Sequence, residues 1–271
     1  MTAPFSYAGK RIVVTGAATG VGAALLDVLA EQDAGDVTVL DIKAPTGPHH
    51  TFIETNLGQE SAVGAAIAAI DGPVDVLFNN AGVADTMPAA TVLAVNFLAL
   101  RKLSEALLDR IPDGGAIVNT ASTAGGQWPS HASELTEILE LDGWDSALAR
   151  GEAAVVELGA QPYFLSKELV QLYTLRSSRP TIRRGVRTNS VCPSPIDTPL
   201  LADFRTTMGD ALIDWNVTET NGRLVTAREV ATVLAFLGAD ASIYVNGVNL
   251  LVDAGFTAAM ATNQVDFSAL S

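Results

Sequence analysis

The chain has 271 residues, of which 48% are hydrophobic and 17% charged, and its formal net charge at pH 7 is −14. This length fits one globular domain or at most two small ones. The acidic balance disfavours nucleic acid and anionic lipid as partners, because both are negatively charged. Cys192 is the only cysteine, which excludes an internal disulfide and a cysteine-based metal cluster.

No segment of the sequence has the composition of a membrane anchor or of a secretory signal. Apolar runs stay well short of the roughly 18 residues that cross a bilayer. Residues 1–10 lack both the basic stretch and the apolar stretch of a signal peptide. We therefore expect a cytoplasmic protein that does not bind a membrane.

The first motif is a glycine-rich turn between a predicted strand and a predicted helix. The strand covers residues 11–15, the turn reads Gly16-Ala17-Ala18-Thr19-Gly20-Val21-Gly22, and the helix covers residues 23–32. In such a unit the glycines let the backbone approach a pyrophosphate, and free N–H groups at the helix start attract its negative charge. The motif therefore predicts a dinucleotide site.

A carboxylate follows the second predicted strand. That strand covers residues 37–40 and ends at Asp41, about 20 residues beyond Gly22. A dinucleotide-binding unit places at this distance the carboxylate that binds the adenosine ribose hydroxyls. The 2′-phosphate of NADP would be repelled there, and neither Asp41 nor Ile42 is basic, so we predict NAD. Lys43 is the residue that could instead accept a phosphate.

Later strands also lead into polar residues. After a third strand at residues 51–54, a fourth at residues 74–78 runs into Asn79-Asn80-Ala81-Gly82, and a fifth ends at Ser122. In open parallel sheets, ligands bind outside the carboxyl ends of the strands. The hydroxyl of Ser122 is therefore well placed for a substrate, although a serine that serves only a turn is an alternative.

The stretch Tyr163-Phe164-Leu165-Ser166-Lys167 places a phenol and an ammonium group four residues apart. On a helix both side chains lie on one face, about one turn apart. A cation beside a phenol favours the phenolate and lowers its pKa from about 10. Such a pair can pass a proton to or from an alcohol oxygen, although this spacing alone also arises by chance.

The segment between Ser122 and Tyr163 is long and acidic. Leu135, Ile138 and Leu139 recur in it at helical spacing, which predicts an ordered helical insertion over about residues 125–160. Unstructured connections of this length are uncommon in compact domains. We therefore expect the insertion to have a function of its own.

The segment after the sixth predicted strand, at residues 186–191, is a candidate substrate loop over about residues 194–222. Within it, the apolar residues 200–215 either close over a substrate or pack as ordinary core. Arg187 belongs to a group of arginines after the Tyr163 helix that we expect to be solvated, given the acidic balance. A final strand covers residues 247–253.

Three motifs in this order resemble the short-chain dehydrogenase/reductase family: the turn from Gly16 to Gly22, the stretch from Asn79 to Gly82, and Tyr163 with Lys167. The resemblance covers about residues 9–255. Within the family, the long insertion resembles that of 3α-hydroxysteroid dehydrogenase-like and coniferyl-alcohol dehydrogenase-like members.

The resemblance implies a Rossmann-type, doubly wound α/β fold with a seven-stranded, mostly parallel sheet. It implies a single domain over residues 1–271, with the helical insertion between Ser122 and Tyr163. The implied activity is hydride transfer between NAD and an alcohol or its carbonyl.

By the same resemblance, four residues form the catalytic group. Tyr163 is the general acid/base, Lys167 lowers its pKa and contacts the nicotinamide ribose, and Ser122 donates a hydrogen bond to the substrate oxygen. Asn96, a polar exception in the predicted helix at residues 90–110, holds a water that connects the lysine to solvent. Its alternative role is to satisfy the helix backbone.

The resemblance also assigns the cofactor contacts, from pyrophosphate to nicotinamide. They are Gly16, Thr19, Gly20, Val21, Gly22, Asp41, Ile42, Asn56, Leu57, Asn80, Ala81, Gly82, Tyr163, Lys167, Pro193, Ile196 and Thr198. Two positions depart from the family pattern. Asn56 stands where an aspartate usually meets the adenine, and Ser194 stands where a glycine usually follows Pro193.

Several alternatives remain open at this stage. A 3α-hydroxysteroid is one candidate substrate and coniferyl alcohol is the other. A non-catalytic dinucleotide sensor is the alternative from another class, although such proteins tend to lose the tyrosine or the lysine.

The resemblance implies a homo-oligomer, a dimer or tetramer, and the insertion adjoins the helices that family members often use for assembly. We predict no metal site, because His49 and His50 lie in a loop without partners at ligand spacing.

Overall fold

A computed structural model describes residues 3–268. Seven strands form its main sheet, and every pairing between neighbouring strands is parallel. They are β1 (Arg11–Thr15), β2 (Asp36–Asp41), β3 (Thr51–Glu54), β4 (Val76–Asn79), β5 (Ala116–Thr120), β6 (Arg187–Pro193) and β9 (Asn249–Val252). The order across the sheet is β3-β2-β1-β4-β5-β6-β9. Two short strands, β7 (Ile196–Asp197) and β8 (Val225–Thr226), pair separately.

Helices cover both faces of this sheet. They are α1 (Gly20–Glu31), α2 (Glu60–Ala69), α3 (Ala89–Leu93), α4 (Ala99–Leu107), α5 (Ala132–Glu140), α6 (Trp144–Leu158), α7 (Pro162–Ser177), α8 (Leu201–Met208), α9 (Asp210–Thr218), α10 (Ala227–Gly238) and α11 (Phe256–Ala261). One apolar core holds the inner sides of α2, α4 and α7, and a second holds α1 and α10. Strands of a parallel sheet are buried on both faces, and β6 is buried along its whole length. The predicted doubly wound fold is confirmed.

The predicted helical insertion is also confirmed as two helices, α5 and α6. Leu135, Ile138 and Trp144 of these helices belong to the same core as α7. As a result α7 is buried on almost every side, including Leu172 and Tyr173 near its end. Arg101 fixes the end of α5 from α4, because its guanidinium donates to the carbonyl of Leu141 at 3.0 Å.

Some local expectations differ from the structure. The helix predicted at residues 90–110 is interrupted by a π-helical turn, Ala94–Leu98, between α3 and α4. Arg187 is buried, so its predicted solvation is wrong. Its guanidinium donates to the carbonyls of Leu237 and Ala239, which the end of α10 leaves without helical partners.

Two findings concern absences within residues 3–268. No group of three or more histidine, cysteine, aspartate or glutamate side chains there could hold a metal ion, and the ring of His49 forms a hydrogen bond with the carbonyl of Gly47. No helix in that range is long and apolar enough to span a membrane.

Candidate active site

The carboxyl ends of β1, β4 and β5 lie side by side at the point where the strand order reverses. Ligands of open α/β sheets bind outside the strand ends at such a point. The glycine-rich turn follows β1, Asn80 follows β4, and Ser122 follows β5. The topology therefore brings the predicted cofactor and catalytic segments to one edge of the sheet.

The glycine-rich turn is packed against the loop after β4. Gly16 has a φ of +70°, and a Cβ added there would lie 2.5 Å from the Cα of Ala81. A Cβ on Gly22 would meet the carbonyl oxygen of Gly16 and lie 2.7 Å from Asn80 Nδ2. Only glycine fits at these two positions, and their lack of side chains leaves the backbone open to a pyrophosphate.

Polar contacts hold the turn in place from the β4 side. Thr15 Oγ1 accepts the backbone N–H groups of Asn80 and Ala81, both at 3.0 Å. The side-chain amide of Asn80 donates to the carbonyl of Gly16 at 2.8 Å. Asn80 therefore serves the packing of the site, and a contact with the cofactor ribose stays a prediction.

Asp41 lies at the end of β2 beside the glycine-rich turn. Its Oδ2 accepts the N–H of Ala18 at 2.9 Å, and its Oδ1 accepts the N–H of Lys43 at 3.1 Å. These two bonds orient the carboxylate at the mouth of the turn. Ile42 is exposed next to it. The contact of Asp41 with an adenosine ribose stays a prediction.

The two residues predicted to contact the adenine, Asn56 and Leu57, have few groups left to bind it. Asn56 is exposed, but its Oδ1 already accepts the N–H of Gly58 at 3.0 Å. Leu57 is 6% exposed and belongs to the core. The amide group of Asn56 and the backbone of Leu57 are therefore what these residues could still offer to an adenine.

Tyr163, Lys167 and Ser122 meet beneath this edge. The Nζ of Lys167 lies 5.6 Å from the centroid of the Tyr163 ring and donates to the carbonyl of Thr120 at 2.8 Å. A side-chain hydrogen bond joins Ser122 to the Tyr163 phenol. All three residues are buried, at 7%, 3% and 9% exposure for the tyrosine, lysine and serine. The structure thus brings the three predicted catalytic residues together.

Burial governs the protonation of this group. It raises the pKa of Tyr163 to about 12, against which the hydrogen bond from Ser122 acts in the lowering direction. Burial also lowers the pKa of Lys167 to about 8. The predicted lowering of the Tyr163 pKa is therefore wrong, because loss of solvent outweighs the neighbouring groups.

Asn96 lies in the π-helical turn and is buried. Its Oδ1 accepts the N–H of Val83 at 2.8 Å, and its Nδ2 donates to the Val83 carbonyl and to Ser166 Oγ, both at 3.0 Å. The side chain thus joins the loop after β4 to α7. A Cβ on Gly82 would lie 3.5 Å from Asn96 Oδ1 and 3.7 Å from Lys167 Nζ. Asn96 is therefore adjacent to the lysine, and its part in a water relay stays a prediction.

The segment predicted to meet the nicotinamide also approaches the glycine-rich turn. A Cβ on Gly20 would lie 3.4 Å from Thr198 Cγ2. Ile196 lies in β7, and the carbonyl of Pro193 accepts Thr123 Oγ1 at 3.3 Å. Ser194 stands where a glycine is usual and has no positive φ, and its N–H donates to the Val252 carbonyl at 3.2 Å.

Helix α8 covers the catalytic group through Phe204. The ring of Phe204 lies against that of Tyr163, with centroids 4.7 Å apart and an interplanar angle of 62°. Helix α9 is held by the C-terminal segment, because Trp215 Nε1 donates to the carbonyl of Asp266 at 2.7 Å. The sequence predicted that residues 200–215 close over the site or pack as core. In the structure Phe204 covers the site, whereas Trp215 packs as core.

Two residues of the site were missed by sequence reasoning. Gln171 donates from Nε2 to the carbonyl of Ser122 at 2.8 Å, and Asp85 accepts the N–H of Tyr163 on Oδ1 at 2.8 Å. Gln171 lies four residues beyond Lys167, so the helical period could have placed it on the catalytic face. No local pattern marks Asp85, whose contact spans 78 positions of sequence.

Comparison with known proteins supports the same assignment. The family model described as short chain dehydrogenase matches residues 10–133, and the one described as Enoyl-(Acyl carrier protein) reductase matches residues 147–257. The gap between the two matches covers most of α5, the turn after it and the first residues of α6.

Relatives match along nearly the whole chain. The coniferyl-alcohol dehydrogenase of a Pseudomonas species is 32% identical, over 91% of this chain and 96% of that protein. The cis-4-hydroxycyclohexanecarboxylate dehydrogenase of Sinomonas cyclohexanicum is 31% identical, over 93% and 98%. The crystal structure of the 3-alpha-hydroxysteroid dehydrogenase from Pseudomonas sp. B-0831, complexed with NADH, has a TM-score of 0.79 and 30% identity, over 93% of this chain and 99% of that one. The chain belongs to the short-chain dehydrogenase/reductase family and is an oxidoreductase of alcohols and carbonyls.

Proposed function

We propose that this protein interconverts an alcohol and its carbonyl with NAD, and that Tyr163, Lys167 and Ser122 carry the proton transfer. The observation that carries the proposal is the meeting of these three side chains beside the glycine-rich turn. The crowded glycines at positions 16 and 22 fit a bound pyrophosphate. A dinucleotide would be held by this turn, by Asp41 and by the segment around Thr198.

The proposed mechanism assigns each side chain one task. Bound nicotinamide gives or takes the hydride. Tyr163 gives its phenolic proton to the carbonyl oxygen in reduction and takes it from the alcohol in oxidation. Ser122 donates a hydrogen bond to the same oxygen. Lys167, with a pKa of about 8, is mostly protonated at pH 7 and stabilises the phenolate.

The proposed preference for NAD rests on Asp41. Its carboxylate is fixed by the N–H groups of Ala18 and Lys43 at the place where an adenosine ribose would lie. A 2′-phosphate at that place would meet a negative charge that cannot turn away without losing two hydrogen bonds. The related 3-alpha-hydroxysteroid dehydrogenase is complexed with NADH, in agreement with this preference.

We propose a 3α-hydroxysteroid, or a similar ring alcohol, with its ketone as the first substrate class. The 3-alpha-hydroxysteroid dehydrogenase structure is similar over most of the chain, and Phe204 offers an apolar ring over Tyr163. Coniferyl alcohol is the second candidate, supported by the 32% identity to a coniferyl-alcohol dehydrogenase. Comparing turnover of the two compounds with NAD separates these candidates.

The decisive experiment follows NADH absorbance with a panel of carbonyls for the wild type and Tyr163→Phe. We expect kcat of the variant to fall by a factor of about 10² to 10⁴, because its ring cannot exchange a proton. NADH affinity should change less than twofold. Tyr173→Phe is the matched control, since Tyr173 lies on the same helix but packs on Phe97 in the core. A Tyr163→Phe variant with near wild-type kcat contradicts the proposal.

A further inference from the structure

Asp85 lies in the loop after β4 and contacts the start of the catalytic helix. Its Oδ1 accepts the N–H of Tyr163 at 2.8 Å. The first N–H groups of a helix have no partner within the helix, and its positive end favours a negative charge. This bond therefore fixes the Asp85 carboxylate beside the catalytic tyrosine.

The other carboxylate oxygen of Asp85 has no partner. Oδ2 is buried and accepts no hydrogen bond, and no salt bridge of Asp85 occurs within residues 3–268. Burial raises the pKa of this carboxyl, and the only opposing interaction is the Tyr163 N–H. A buried polar atom without a partner is costly, so it is expected to find one in the working protein.

The carboxylate also acts on the reacting group through its charge. Its charge contributes to the raised pKa of Tyr163, after burial and the Ser122 hydrogen bond among the causes. The catalytic lysine does not neutralise the Asp85 carboxylate, because Lys167 donates to the Thr120 carbonyl instead. Asp85 therefore places an uncompensated acceptor at the same end of α7 as the phenol.

We propose that Asp85 is a specificity-determining residue whose free oxygen accepts a hydrogen bond from a second hydroxyl group of the substrate. This inference rests on the proposed function and narrows its substrate class to alcohols and ketones that carry a further hydroxyl. A substrate with a carboxylate at the same distance would be repelled. A site built to bond a hydroxyl discriminates strongly against the analogue that lacks it, because its polar group is then left unpaired.

Asp85→Asn is the informative variant. An asparagine keeps a carbonyl oxygen for the Tyr163 N–H, so the helix cap is retained, but its amide group can only donate to the substrate hydroxyl, and that bond lacks the negative charge that strengthens a hydroxyl-to-carboxylate bond. Asp113→Asn is the matched control, because it makes the same charge change at a carboxylate that is 80% exposed and paired with Arg184. Both variants should fold like the wild type.

The experiment compares cyclohexanol with cyclohexane-1,2-diol and cyclohexane-1,4-diol as substrates. We expect the wild type to prefer at least one diol by tenfold or more in kcat/KM. Asp85→Asn should lose at least tenfold more on that diol than on cyclohexanol, because the change in the charge near Tyr163 acts on both substrates and only the diol also loses the hydrogen bond. On 4-hydroxycyclohexanecarboxylate the same variant should gain activity, because a repelling charge is removed. Asp113→Asn should leave all four values unchanged.

A binding measurement separates failure of this inference from failure of the proposed activity. The preferred diol, in the presence of NADH, should raise the Tm of the wild type more than cyclohexanol does, and this difference should vanish in Asp85→Asn. The same pattern without turnover would overturn the activity and support the inference. Equal effects of diol and cyclohexanol on the wild type, or equal losses on both in Asp85→Asn, overturn the inference and leave Asp85 as a helix cap only.

Discussion

The ring of Phe204 lies across the ring of Tyr163 with a centroid distance of 4.7 Å, so the residue proposed to react with substrate is covered by another aromatic ring. The tyrosine is only 7% exposed as a result. A substrate oxygen must come within hydrogen-bond distance of the phenol. Helix α8 therefore has to move, or Phe204 has to turn aside, before an alcohol can react.

Replacing Phe204 by alanine should weaken the binding of apolar alcohols. The substitution removes the apolar ring of Phe204 that lies against Tyr163, which is worth about 1–2 kcal/mol, or roughly 5- to 30-fold in KM. Steady-state kinetics with an aromatic and a steroid alcohol measure the effect. Phe204→Leu keeps an apolar cover and should stay within about threefold of the wild type. An unchanged KM in Phe204→Ala would show that this ring does not contact the substrate.

Replacing Asp41 by asparagine should relax the choice of cofactor. The wild type is expected to favour NAD over NADP by at least about 100-fold in kcat/KM, and Asp41→Asn should reduce this ratio at least tenfold by removing the repelling charge. The kinetic constants for both cofactors give the ratio. Lys43→Ala is the control for the alternative that the neighbouring lysine binds a 2′-phosphate. A collapse of NADP activity in Lys43→Ala, with no change in Asp41→Asn, would reverse the assignment.

Replacing Gln171 by methionine should misplace Ser122. Gln171 Nε2 donates to the Ser122 carbonyl at 2.8 Å, and methionine fills a similar volume without that donor. We expect kcat to fall about tenfold with less than twofold change in the KM for NADH. Because the Ser122 hydrogen bond lowers the pKa of Tyr163, loosening it should shift to higher pH the limb of the oxidation profile on which activity rises as Tyr163 loses its proton.

Ser122→Ala is the reference variant for the pH profile of Gln171→Met. That variant removes the hydroxyl itself, so its pH profile should move in the same direction and further. A Gln171→Met variant that loses stability but keeps the wild-type pH profile would make Gln171 a packing residue with no effect on the serine.

Much of this site could be predicted because its motifs are local. The turn from Gly16 to Gly22 needs small residues at fixed spacing, and Tyr163 with Lys167 needs only the period of a helix. The position of Ser122 follows from a strand ending at the binding edge. In each of these cases the residue spacing carries the geometry.

The rest depends on contacts between distant segments. The contact of Phe204 with Tyr163 and that of Asp85 with the same residue join segments that no sequence pattern pairs. The raised pKa of Tyr163 has burial as its largest cause, and burial could not be deduced from the neighbouring lysine. Arg187 was misjudged for the same reason, since its carbonyl partners belong to α10.

The helical insertion affects which surfaces of the chain can form contacts between subunits. Helices α5 and α6 pack their apolar residues on α7, so this face of α7 is already covered within one chain. We expect a homo-oligomer that does not use that face, and sedimentation equilibrium should give a dimer. Arg150, paired with Glu137 and Glu157 on the insertion, provides a test, because Arg150→Ala should leave the dimer unchanged. The ordinary family tetramer would contradict this prediction.

Replacing Lys167 by methionine should abolish turnover and yet stabilise the fold at pH 7. Burial lowers the pKa of Lys167 to about 8 from 10.5, and each unit corresponds to about 1.4 kcal/mol between the two protonation states, or about 3 kcal/mol in all. Losing the bond to the Thr120 carbonyl costs about 1 kcal/mol. The free energy of unfolding should therefore rise by about 2 kcal/mol in Lys167→Met.

The sign of the pH dependence distinguishes this effect from simple repacking. Between about pH 8 and pH 10.5 the unfolded wild type holds a proton that the folded protein has lost, so the wild type gains stability as pH rises. The advantage of Lys167→Met, measured by urea unfolding, should thus be full below pH 8 and shrink as pH approaches 10. Lys43→Met is the control, because Lys43 is exposed, and it should show no such trend. Two results would contradict this prediction: a Lys167→Met variant that is less stable than the wild type at pH 7, or a stability difference between the two proteins that does not vary with pH. Either result would mean that the buried charge of Lys167 does not destabilise the folded protein.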